Sequence, residues 1–173
     1  NGSFNHYTRS DGLSLSVVSC LFVDSLNRTW MGTAGGYISI YDPVTDLLFK
    51  VGRDSGFADS KSSRVNCISS DAKGNIWVGT NVGAYLMEYD TLHTRVKKQF
   101  TVADGLAGNF VRSITTDSYG NLWFGAAGGI TCYDGTKFMK YTVADKFASD
   151  NVYSLLADKT GHLWVGTEKG VDR

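Results

Sequence analysis

One short phrase recurs four times in step along this chain and constrains it more than any other feature. Asp24-x-x-Asn27-x-x-Trp30-x-Gly32 returns as Asp71-x-x-Gly74-x-x-Trp77-x-Gly79, as Asp117-x-x-Gly120-x-x-Trp123-x-Gly125 and as Asp158-x-x-Gly161-x-x-Trp164-x-Gly166. The four Trp are the only ones in the chain and are spaced by 47, 46 and 41 residues. A repeat of roughly 40 to 50 residues makes each copy one supersecondary unit that stacks on its neighbours. Other phrases keep the period. Asp11-Gly12-Leu13 and Asp104-Gly105-Leu106 are echoed by Asp54-Ser55-Gly56-Phe57 and Asp145-Lys146-Phe147, while Tyr41-Asp42, Tyr89-Asp90 and Tyr133-Asp134 each close a strand-like run.

Each unit reads as strands. The runs 17–24, 65–71, 111–117 and 152–158 are β-rich and apolar on both faces, as suits inner strands. Val18, Val65, Val111 and Val152 are equivalent, as are Leu21, Ile68, Ile114 and Leu155. The second strand carries the Trp. The third runs from a Gly pair (Gly35-Gly36, Gly128-Gly129) to Tyr-Asp, and a shorter, more polar fourth includes Phe49, Phe100, or Phe138 with Tyr141. Helical periodicity is absent. In the first hairpin the Asp can accept backbone N–H bonds of the turn, and Gly120 and its equivalents stand where a positive φ is required. Asn27 is among the best non-Gly residues there. These Asp are read as structural, since an EF-hand needs Asp or Asn at alternate positions and a distant Glu. Each Trp is read as a wedge between adjacent sheets. The expected fold is therefore all-β: a β-propeller of about four blades, each of four antiparallel strands. A β-sandwich would not generate four copies in phase.

Composition removes several functions. Lys+Arg and Asp+Glu are 17 each, so the basic excess of a general nucleic-acid binder is missing. A chain 42% hydrophobic is not disordered. The longest apolar run, Val17 to Val23, is broken by Ser19 and is too short to be a membrane helix. Cys20, Cys67 and Cys132 have no C-x-x-C spacing, and His6, His93 and His162 form no cluster. No metal, cofactor or catalytic residue is expected. With no signal peptide and no initiator Met, the chain is expected to be a processed product or a piece of something larger.

Asp-Gly-Leu, then Val-x-x-Ile-x-x-Asp-x-x-Gly-x-Leu-Trp-x-Gly, then Gly-Gly and Tyr-Asp is fullest in Asp104-Gly105-Leu106, Val111, Ile114, Asp117, Gly120, Leu122-Trp123, Gly125, Gly128-Gly129 and Tyr133-Asp134. This pattern resembles the two-component regulator propeller repeat, in four copies over nearly the whole chain. The second unit departs most, with a stretched region from Asp54 to Ser63. The resemblance implies the periplasmic sensor propeller of a hybrid histidine kinase, with more blades than four, inputs that are often polysaccharide fragments, and signalling domains elsewhere in a parent chain that forms homodimers.

On that reading 1–10 is the outer strand of a preceding blade, 11–53 blade 1, 54–103 blade 2, 104–144 blade 3 and 145–173 an incomplete blade 4. The piece is expected to be an arc of a larger ring. Loops entering the inner strands and turns between second and third strands share one face of a propeller. Ser19, Asn66, Arg112 and Tyr153 occupy one equivalent position there and differ between blades. Such variation marks a grafted ligand surface or neutral drift. Candidate ligand residues are Arg64, Asn109, Arg112, Asn151 and Tyr153, with Tyr153 stacking on a sugar and Arg112, Arg64 or Asn109 bonding hydroxyls. A lyase or hydrolase propeller and a purely structural interaction propeller remain alternatives.

Overall fold

The computed structural model describes residues 4–51, 64–89 and 94–173. It forms four antiparallel meanders. The first sheet runs β1 (Val18–Val23), β2 (Thr29–Thr33), β3 (Ile38–Asp42) and β4 (Leu47–Lys50), in that order. The second has β5 (Val65–Ser70), β6 (Ile76–Thr80), β7 (Gly83–Tyr89) and β8 (Thr94–Phe100). The third has β9 (Val111–Thr116), β10 (Leu122–Ala126), β11 (Gly129–Tyr133) and β12 (Phe138–Tyr141). The fourth has three strands: β13 (Val152–Ala157), β14 (Leu163–Thr167) and β15 (Gly170–Asp172). Inner strands pack in sequence, β1 on β5, β5 on β9 and β9 on β13. The chain is a four-bladed all-β propeller. Asp54-Ser55-Gly56-Phe57, Asp90 and His93 lie outside the described residues.

The hairpin joining the first two strands of each blade is built around its Asp. Asp117 Oδ1 accepts the amides of Tyr119 and Asn121, each at 2.9 Å, while Oδ2 accepts the Trp123 indole Nε1–H at 2.8 Å. Asp24 does the same for Leu26, Arg28 and Trp30, Asp71 for Lys73, Asn75 and Trp77, and Asp158 for Thr160, His162 and Trp164. The six-residue spacing from Asp to Trp is what lets one carboxylate close the turn and hold the indole. Asn27, Gly74, Gly120 and Gly161 carry φ of 61°, 81°, 87° and 88°, so this turn position is left-handed in all four blades.

These bonds set an acid limit on stability. For Asp24 and Asp117 burial raises the pKa, but the bonds from Trp30 and Arg28, and from Trp123 and Asn121, outweigh it and hold both below the usual carboxylate range. A depressed folded pKa means that the stabilisation is complete above the unfolded value, about 3.9, and is lost as pH falls through the folded one. The urea midpoint is therefore expected to hold steady from neutrality to about pH 4 and then to drop. A midpoint equal at pH 3 and pH 6 contradicts this.

The inner strands differ from the expectation of apolar residues on both faces. A bulge shifts the register between Val18 and Cys20, between Val65 and Cys67, and between Val152 and Ser154, and in the third blade a shift opposite Gly125 and Ala126 falls between Val111 and Ser113. The extra residue places Val65 and Ile68 on the same side, although three-residue spacing would alternate in a regular strand. That single apolar side packs on the preceding blade, with Val65 and Ile68 joining Trp30, Ile38 and Ile40. The opposite side carries small residues such as Cys67, which packs with Trp77 and Val111.

The Gly after each Trp is where the next blade docks. A Cβ on Gly32 would lie 2.3 Å from Val65 Cγ1, one on Gly79 2.8 Å from Val111 Cγ1, and one on Gly125 2.8 Å from Val152 Cγ1. Val65, Val111 and Val152 are buried to within 1%. The Trp are wedges between blades: Trp30 and Trp77 are fully buried, Trp123 is half-buried beside the three-stranded fourth blade, and Trp164 is 39% exposed.

Residues 4–8 form no strand, in contrast to the outer strand expected over 1–10. A strand needs an edge to pair with, and among the described residues no sheet pairs with this segment. Instead Tyr7 packs its ring 5.5 Å from that of Tyr41.

Candidate functional site

The loops entering the inner strands and the turns after the second strands meet on one face. Ala34 N–H donates to Val17 O at 3.1 Å, Ala127 N–H to Phe110 O at 3.3 Å, and Glu168 N–H to Asn151 O at 3.2 Å. In the second blade Arg64 N–H donates to Asn81 Oδ1 at 2.9 Å. The bulged residue of each of the first three inner strands reaches toward the next blade.

At that bulge the varied side chains perform one shared task. Ser19 Oγ donates to the carbonyl of Val65, Asn66 Nδ2 to that of Val111 at 2.9 Å, and Arg112 Nη1 to that of Val152 at 2.9 Å. Each of the first three blades thus ties itself to the docking Val of its successor. The variation among Ser, Asn and Arg is tolerated because any donor of sufficient reach can make this bond. Sequence reasoning, which weighed the position as a ligand surface, missed this role.

Three of the five candidate residues come together between blades 3 and 4. The Arg112 guanidinium lies 4.6 Å from the ring centroid of Phe110 and 4.6 Å from that of Tyr153. Its Nη1 also donates to Asn151 Oδ1. Asn151 Nδ2 donates to Glu168 Oε2 at 2.9 Å and to Tyr153 Oη at 3.3 Å, and Ser149 Oγ donates to Glu168 Oε1 at 2.8 Å. The bonds from Asn151 and Ser149 hold the Glu168 carboxyl below its usual range, with the Lys169 and then the Arg112 charge adding to them. Phe110 and Tyr153 remain 40% and 51% exposed, so the cluster presents aromatic surface and fixed polar groups side by side.

The other two candidates stand apart. Asn109 Oδ1 accepts the Val102 amide at 2.9 Å, as Asp150 accepts that of Val143, so Asn109 shapes its own loop. Arg64 enters the second blade's inner strand and joins none of the bonds around Arg112. Phe110, Ser149 and Glu168 were not singled out from sequence. Phe110 was detectable, since it precedes Val111 where Val17, Arg64 and Asn151 precede the other inner-strand Val.

Among the described residues no group of three or more His, Cys, Asp or Glu is placed to hold a metal. Burial pushes the Cys20 and Cys132 thiols up to about 11 and raises Cys67 as well, so none is a ready thiolate at neutral pH. His162 belongs to the Asp158 hairpin, where its Nδ1 lies 2.8 Å from Thr160 Oγ1.

The signature of the two-component regulator propeller matches residues 59–82, 105–128 and 146–169, one stretch each in the second, third and fourth units. The extracellular domain of a hybrid two-component system of B. thetaiotaomicron is 28% identical, over 97% of this chain and 23% of its own, with a TM-score of 0.78. The extracellular domain of a one-component system of the same organism is 20% identical, over 96% of this chain and 22% of its own, at 0.77. Virginiamycin B lyase of Staphylococcus aureus is 13% identical, over 91% of this chain and 55% of its own, at 0.63. The last two likenesses show the fold alone. The chain spans about a quarter of the length of either extracellular domain. No curated protein matches it, and no helix among the described residues is long and apolar enough to cross a membrane.

Proposed function

We propose, from the three stretches that match the two-component regulator propeller repeat, that the chain is the ligand-presenting part of an extracytoplasmic sensor. It takes an oligosaccharide at the mouth between its third and fourth blades, and the signal passes to kinase domains elsewhere in the parent chain. The observation that carries the site is the Phe110–Arg112–Tyr153 stack, with Asn151 and Glu168 beside it. Small-ligand sites combine apolar surface with a few fixed polar groups. The exposed ring of Tyr153 suits the C–H face of a sugar, and the carboxamide and carboxylate suit its hydroxyls.

The 28% identity to an extracellular domain of a hybrid two-component system supports sensing outside the cytoplasm. Periplasmic placement, a kinase output and a homodimeric parent extend the same family reading. An enzymatic role of lyase or hydrolase type draws only on a likeness of fold.

Calorimetric titration with a panel of neutral and acidic oligosaccharides tests the reading. Tyr153→Ala removes a half-exposed ring and is expected to weaken binding at least tenfold with little change in Tm. Arg112→Ala is expected to weaken binding too, but to lower Tm because it also cuts the tie to Val152. Undiminished binding by Tyr153→Ala sinks the site, and no heat from any sugar sinks the ligand class.

A further inference from the structure

The tie between blades asks for a single donor. Ser19 supplies a hydroxyl and Asn66 a carboxamide N–H, and each reaches the carbonyl of the next docking Val. Arg112 brings a whole guanidinium to the same place. Its Nη1 donates to Val152 O at 2.9 Å and to Asn151 Oδ1, which accounts for both N–H groups of that nitrogen. Nε and Nη2, which share another edge of the fork, meet no acceptor among the described residues, and neither is sealed from water. The tie therefore leaves unused the edge of the guanidinium that can bind two oxygens at once.

Charge leads the same way. Arg28 pairs with Asp24 at 2.7 Å and Arg95 with Glu88 at 2.8 Å, whereas no carboxylate among the described residues pairs with Arg112. Glu168 stands beyond Asn151 and accepts from Ser149 at Oε1 and from Asn151 at Oε2. Its oxygens are engaged there, not at the guanidinium. The rings of Phe110 and Tyr153 pack at 4.6 Å and hold the guanidinium in place, so little side-chain freedom is left to lose on binding. Phe110, Arg112 and Asn151 gather where blade 4 docks on blade 3, with Val152 buried over Gly125.

We infer that the free Nε–Nη2 edge of Arg112 is a fork for an anionic group, and that the oligosaccharide taken at this mouth carries a carboxylate or a sulfate ester. The inference rests on the sugar reading of the mouth and adds the chemical class of its ligand. Two oxygens of a uronic acid carboxylate, or of a sulfate, accept from Nε and Nη2 in parallel. The sugar ring that bears the group then lies beside Phe110 and Tyr153, whose exposed surface adjoins the guanidinium. A neutral sugar offers this edge only single hydroxyls.

The Nε–H resonance of Arg112, assigned by its loss in Arg112→Asn, reads the edge directly. Titration with glucuronate, galacturonate and a glucose sulfate ester is expected to shift it saturably. Glucose and galactose should bind about tenfold or more weakly, the margin of a charge-assisted over a neutral hydrogen bond. A response to the uronates alone assigns a carboxylate, and a response to the sulfate ester alone assigns a sulfate. Arg112→Asn introduces the residue with which Asn66 ties blade 2 to blade 3, so it should keep Tm close to that of the unsubstituted chain. It should also abolish the preference for acidic over neutral sugars, read by calorimetry. Neutral sugars that bind as tightly as the acids, or a preference that survives Arg112→Asn, overturn the fork and leave the sugar reading standing. A resonance shifted by inorganic sulfate or acetate but by no sugar supports the fork and overturns the sugar reading. A resonance that answers to none of these anions overturns the fork.

Discussion

Asp24→Ala is expected to lower the unfolding free energy by about 3–5 kcal/mol, the cost of removing one partner from a buried ion pair. Asp24 is 7% exposed, and its Oδ2 takes both the Trp30 indole and the Arg28 Nε at 2.8 Å. Arg28 Nη2 approaches the same oxygen to 2.7 Å, with 15% of that side chain exposed. Without the carboxylate, a largely buried guanidinium and a fully buried indole N–H lose their acceptor, and the amides of Leu26 and Arg28 lose the bond that closes the turn. Asp158→Ala removes the equivalent two amide bonds and the indole bond, with the Thr160 hydroxyl in place of the Arg28 guanidinium, in a setting where water replaces them, since Trp164 is 39% exposed. Its loss should be clearly the smaller of the two. Urea unfolding of the two variants side by side measures the difference, and equal losses would show that the hairpin bond, not burial, sets the energy.

That contrast explains what could be read from the sequence. Asp, Gly and Trp recur because every blade needs the same hairpin, and a hairpin is local enough to leave its whole signature within nine residues. The bond from Asp to the indole was harder to read, because a Trp that fills a gap between sheets has the same sequence signature as one that also donates. The inner-strand bulge leaves no characteristic residue: Ser19, Asn66, Arg112 and Tyr153 share only a position. The inter-blade bonds of Ser19, Asn66 and Arg112 connect residues about 40 to 46 apart, beyond any local pattern. The pairing of Arg112 with Asn151 and Tyr153 emerges for the same reason only when blade 4 docks on blade 3. Residues 4–8 show the converse. Their likeness to an outer strand is real in sequence, but strand formation depends on an edge that the sequence of the segment cannot supply.

Gly79→Ala should have the other large effect, and its sign follows from two opposed terms. Alanine narrows the unfolded ensemble, which would stabilise the fold by about 0.4–1 kcal/mol wherever the new methyl fits. At Gly79 it does not fit: the Cβ would stand 2.5 Å from Cys67 Sγ and 2.8 Å from Val111 Cγ1. Gly79 carries no positive φ, so the cost is packing alone. Overpacking a close-packed contact costs about 1–3 kcal/mol, which exceeds the entropic gain, and the loss should fall on the docking of blade 3 against blade 2. Gly166→Ala is the matched control. There the methyl would stand 2.3 Å from Ser154 Oγ, a rotatable group, with Ser154 Cβ and O next at 3.7 Å, so once the hydroxyl turns aside the stability should be unchanged within about 0.5 kcal/mol. In the Gly79→Ala background, Val111→Ala should recover part of the loss, with a favourable coupling of about 0.5–3 kcal/mol in a double-mutant cycle. Strictly additive losses would mean that Val111 does not press on this glycine and that blade order along the chain is held by something other than the Val-on-Gly seat.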